Sequence, residues 1–171
     1  MLRIFIAGLL LIGSAPAFPC PAFQVDKTFE VDRGVAFSFK AADGYEAHVM
    51  ELPDTLLRIT LRPEGVSAMD MATGKVSAPT LLISVVLRPI SEEDLALVPD
   101  ITADTPFIEL PGGVKAYRED IADGDIRHFL YPEIDGDARE IEVMLQVPQD
   151  HRGCMADYEE AAREVVASLS F

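Results

Sequence analysis

An α+β domain is what this sequence predicts: a mostly antiparallel sheet of six or seven strands with a C-terminal helix packed against it. Three patterns carry that reading. Apolar and polar residues alternate over several short stretches, the mark of half-buried strands. Asp-Gly and Gly-Gly pairs punctuate those stretches at hairpin-like spacing. The last stretch instead repeats its apolar residues at helical spacing.

The elements follow in order. Val35, Phe37 and Phe39 alternate with Ala36, Ser38 and Lys40, a half-buried strand. Asp43-Gly44 is a turn signal. Tyr45, Ala47, Val49 and Glu51 then share one face of a second strand, so residues 35–51 read as a hairpin. Leu57, Ile59 and Leu61 alternate with Arg58, Thr60 and Arg62 in a third strand. Residues 65–78 are small and polar, with Met69 and Met71, and read as a long loop or an interrupted hairpin. Thr80 to Leu87 is β-branched, continuously apolar apart from Ser84, and bounded by Pro79 and Pro89. That composition suits a central strand covered on both faces.

Ser91, followed by Glu92, Glu93 and Asp94, reads as the N-cap of a short helix limited by Pro99. Residues 100–106 form a loop and Phe107–Leu110 a short extended piece. From 114 to 147 three strands read as a meander: Val114–Glu119, Ile126–Tyr131, and the alternation of Ile141, Val143, Leu145 and Val147. Asp123-Gly124 and Asp135-Gly136 are its turns. A final helix runs from about Ala156 to Leu169. Tyr158, Ala161, Ala162, Val165, Val166 and Leu169 share its apolar face, opposite Glu159, Glu160, Arg163 and Glu164. A helix apolar on one face only lies on a sheet, not inside it. Glu159 and Arg163 are spaced as an i,i+4 pair.

Composition narrows the function. The 171 residues carry 29 acids against 14 bases, a formal charge of −15. That excess opposes duplex nucleic acid, whose phosphates dominate affinity, and anionic lipid surfaces. The N-terminus supplies an address. Arg3, a short apolar core to Gly13, and Ser14-Ala15-Pro16-Ala17 have the layout of a secretory signal peptide. Residues 1–17 are expected to be removed, leaving residues 18–171 as a single domain, periplasmic or secreted. Cleavage removes Arg3 and no acid, so the remainder is more negative still. No later stretch is apolar and long enough to be a transmembrane segment.

Cys20 and Cys154 remain after cleavage. An exported chain with two cysteines suggests one disulfide. Two free thiols are one alternative. A lipid-modified Cys20 is the other, disfavoured by the preceding Phe18-Pro19.

Three segments resemble the PsbP-like fold, that of the photosystem II extrinsic subunit P and its bacterial relatives. They are Val35-Ala-Phe-Ser-Phe-Lys leading to Asp43-Gly44-Tyr45, then Gly112-Gly113-Val114-Lys115-Ala116, and the closing Val165-Val166-Ala167-Ser168-Leu169-Ser170-Phe171. The similarity covers about residues 28–171. It implies an α/β/α sandwich with a non-enzymatic, protein-binding role, and it carries over no site residue.

His48, His128 and His151 form no zinc spacing, and each reads as solvated or hydrogen-bonded. Asp120, Asp123, Asp125, Asp135 and Asp137 crowd two turns within 119–140, near Glu119, Glu133 and Glu140. Oxygen-rich turns can hold calcium, but the EF-hand spacing is missing and Asp-Gly pairs serve hairpins. Neither a Gly-x-Ser-x-Gly elbow nor a Ser-x-x-Lys motif occurs. Met69-x-Met71 can pack a loop, adapt to a partner or capture a soft metal. No cofactor is expected.

The expected function is non-enzymatic binding of another macromolecule through an acidic surface. The protein partner would be basic, because charge of this sign steers basic partners. The chain would then be an envelope accessory subunit or an immunity-type inhibitor. The alternative is a calcium or small-ligand module using the acidic turns.

Overall fold

The computed structural model describes residues 25–32, 35–42, 44–52, 55–91, 93, 104–121 and 124–171. The expected leader, Cys20, Asp123 and most of the helix expected after Ser91 lie outside them. The described chain is α+β, as the alternation predicts. Its strands are β1 (Val25–Asp32), β2 (Ala36–Ala42), β3 (Tyr45–Leu52), β4 (Leu56–Pro63), β5 (Thr80–Val86), β6 (Phe107–Glu109), β7 (Lys115–Asp120), β8 (Ile126–Leu130), β9 (Glu133–Ile134), β10 (Asp137–Ala138) and β11 (Ile141–Gln146). Helix α1 spans Ala68–Ala72 and α2 spans Met155–Ala167, the latter entered through a 3-10 turn at Gln149–Cys154.

Seven strands form one antiparallel sheet in the order β3-β4-β5-β11-β8-β7-β6. Its core face carries Leu57, Ile59 and Leu61 of β4, then Leu81, Ile83 and Val85 of β5, and Ile141, Val143 and Leu145 of β11, all buried. Helix α2 lies on that face, burying Tyr158, Ala161, Ala162, Val165 and Val166 as its spacing requires. Its Glu159 accepts from Arg118 of β7 and not from Arg163, which is exposed.

The expected hairpin over 35–51 does not form. β2 pairs with β1 in a separate two-stranded sheet, and β3 pairs with β4. The reason is packing. Val35, Phe37 and Phe39 do share one buried face, but that face belongs to a ribbon beside α2. Two backbone hydrogen bonds of 2.9 Å between Ser38 and Ser170 fasten the ribbon to the chain just past α2. Along β3, Tyr45 and Ala47 pack on the core, whereas Val49 is 47% exposed.

Other expectations are refined. β5 is not covered equally on both faces, since Thr80, Leu82, Ser84 and Val86 are only half-buried. Residues 65–78 are an interrupted hairpin: β4 pairs with β5, and the connection holds α1, capped by the Ser67 hydroxyl accepting from the Asp70 amide. The meander is real, with β7, β8 and β11 adjacent in that order. Its second connection is larger than a turn, because Asp135 (φ 56°) and Gly136 (φ 85°) close the small β9–β10 hairpin. Among the described residues no helix is long and apolar enough to cross a membrane.

Candidate functional site

Among the described residues the acidic side chains of the two turns do not converge. Asp120 accepts from Arg118 at 2.8 Å, Asp125 Oδ1 from the Val147 amide at 3.4 Å, and Asp137 lies 3.7 Å from Arg139. Asp135 sits at the tip of the β9–β10 hairpin. Asp120 and Asp125 flank the β7–β8 turn, and Asp135 and Asp137 belong to the β9–β10 hairpin, so the four sit at two separate connections. Among the described residues no three His, Cys, Asp or Glu side chains gather to hold a metal ion. Met69 and Met71 also diverge, since side chains two apart on a helix do not face each other. Met69 is 70% exposed.

The histidines occupy three environments. His48 donates from Nε2 to Glu46 Oε1 at 2.7 Å and accepts from Arg62 Nη2 at 2.9 Å. Its hydrogen bond holds the Glu46 carboxyl below the usual range. His151 bonds the Tyr158 hydroxyl at 3.2 Å and the Ser77 carbonyl at 3.0 Å. His128 departs from the solvated reading: it lies on the core face of β8, 2% exposed. Burial pushes its pKa down to about 4, helped by the charge of Arg118. Cys154 sits at the start of α2, partly buried against the core.

The feature best suited to contact is an edge of the sheet. β3 is eight residues long and stands at one end of the strand order. Its last four residues are exposed, and Val49, Met50 and Leu52 each show 47% of their surface. An edge strand turns half of its backbone donors and acceptors away from its single neighbour, ready to pair with another chain. Edge strands in isolated proteins are commonly shortened, charged or bulged. β3 keeps an unbroken register with β4 along its full length and carries no Lys or Pro, its charged side chains being Glu46 and Glu51. The opposite edge, β6, is only three residues long.

Several of the cations across the described surface are paired with acids. Lys27 pairs with Glu64 at 3.1 Å, Lys75 with Asp70 at 2.8 Å, and Arg127 with Glu119 and Glu142. Many of the few bases are thus spent on acids beside them, and the surplus acids are left to define the surface field. In comparisons with known families, curated proteins and solved structures, nothing matches this chain.

Proposed function

We propose that the protein is exported, loses residues 1–17, and works without catalysis by binding another protein. The observation that carries this reading is the β3 edge, whose exposed Val49, Met50 and Leu52 lie on a long, regular strand. Apolar contacts and backbone pairing supply affinity in strand addition. The large acid excess, 29 acids against 14 bases in the full chain, speeds encounter with a basic partner. An envelope accessory subunit and an immunity-type inhibitor both fit, and the partner's identity chooses between them.

The test is capture from native envelope extract with tagged residues 18–171, at low and moderate salt. One stoichiometric partner is expected, weakened by salt. The double variant Val49→Lys, Met50→Lys should lose it while keeping the wild-type melting temperature. An empty capture, or a partner held equally by the variant, overturns the reading.

The same reading pairs Cys154 with Cys20. Protein purified from the native envelope should be two hydrogens lighter than its dithiol form by intact mass. Reduction should lower stability by about 2–4 kcal/mol in urea titrations. Two free thiols, or a lipid-sized mass increment, would contradict the pairing.

A further inference from the structure

A groove of about 540 Å³ opens between the face of the sheet away from α2, helix α1 and the 3-10 turn. Small-molecule sites fall in this size range. Two arginines stand in its walls, Arg62 from β4 and Arg152 from the 3-10 turn. Thr60, Thr80 and Gln146 add hydroxyls and an amide, and Met71 from α1 adds an apolar wall.

The two groove arginines are less fully paired with carboxylates than Arg118 and Arg127. Arg118 and Arg127 each bind two carboxylates. Arg152 has no carboxylate oxygen within 4 Å among the described residues, although acids outnumber bases twofold. Its Nε is buried without a hydrogen-bond partner, as are those of Arg62 and, outside the groove, Arg58 and Arg139. The nearest carboxylate oxygen to Arg62 Nε is Glu46 Oε1 at 3.9 Å. Arg62 is steadied by its bond to His48, which Glu46 orients in turn. Arg152 lies against Gly124, where an added Cβ would come 2.6 Å from its Nη1. Both guanidiniums are therefore held in place, half-desolvated and short of acceptors. Holding guanidiniums partly desolvated with few acceptors is costly, and an anion bound beside them offsets part of that cost.

We infer that this groove binds a small organic monocarboxylate, its carboxylate on Arg62 and Arg152 and its apolar body along Met71. A guanidinium fork matches a carboxylate. An apolar wall favours an organic anion over a mineral one. Asp125 also lines the groove, and its charge disfavours a dianion such as phosphate or sulfate.

Titration of the mature protein with benzoate and hexanoate, followed by amide NMR shifts and melting temperature, tests this. Ionic strength is held constant with chloride. Saturable binding of at least one carboxylate is expected, with phosphate and sulfate weaker. Arg152→Gln should weaken it roughly tenfold or more, the loss of charged hydrogen bonds. Arg88→Gln, at an exposed position, should not change it. Arg62→Gln should repeat the loss, which guards against a folding defect in the first variant. Absence of saturable carboxylate binding overturns the inference. So does phosphate binding as tightly as the carboxylates, or unchanged binding in both groove variants.

Discussion

Phe39→Ala should destabilise the protein by about 3–5 kcal/mol, the usual cost of emptying an aromatic site in a core. Phe39 is 1% exposed and stacks on Phe29 and Phe37, with ring centroids 5.5 and 6.1 Å apart. Its strand β2 hydrogen-bonds to β1 in a two-stranded ribbon outside the main sheet. Such a ribbon is marginal on its own and needs side-chain burial to stay docked. Backbone bonds to Ser170 and the Ser168 hydroxyl, which accepts from the Lys40 amide at 2.7 Å, hold β2, while β1 is tied by Lys27 to the Tyr45 carbonyl and Glu64. The loss is a large share of the 5–15 kcal/mol that domains normally possess. Urea unfolding measures it. Phe107→Ala at the exposed β6 edge is the control, expected to cost about 1 kcal/mol or less. A Phe39→Ala cost below about 1 kcal/mol would show that the ribbon is not part of the cooperative core.

Acid should destabilise the protein through His128, by up to about 3 kcal/mol between pH 6.5 and pH 4. The imidazole is buried between β8 and α2. Burial is the main cause of its low pKa, and the positive charges of Arg118 and Arg163 add to it. Glu159 and Asp120 oppose the shift without cancelling it. The sign follows from linkage. Above pH 6.5 the ring is neutral folded and unfolded, and contributes no pH dependence. As pH falls toward 4 the unfolded chain takes up a proton that the folded chain refuses. Stability declines across that window, and the loss is complete below pH 4. His128→Gln should flatten this component, read as the difference between variant and wild-type unfolding free energies from pH 7 to pH 4. Parallel curves for the two proteins would refute it.

His128 also shows how far local pattern reaches. Ile126, His128 and Leu130 alternate, so β8 places the histidine on its apolar face. The signal was present in the spacing, and composition alone hid it. Strand β1 carries the same alternation in Phe29 and Val31, but it lies before Val35, where the strands expected from the sequence begin, and so was missed. The groove was not legible in the sequence. Arg62 and Arg152 are 90 positions apart in the chain, and the intervening acids gave neither arginine a distinctive neighbourhood.

Alternation and turn chemistry are local properties, and they determined the element types, the meander and the face of α2. Side chains two or four positions apart must share a face whatever the rest of the chain does. Pairing is a different matter. Whether β2 joins β1 or β3 depends on which partner buries Phe37 and Phe39 better, and that burial depends on α2, more than a hundred residues away. Tertiary packing likewise decided which strand became the exposed edge, which histidine was desolvated, and which arginines came to line the groove. Burial and charge pairing are sums over neighbours in space, and only the folded chain fixes those neighbours.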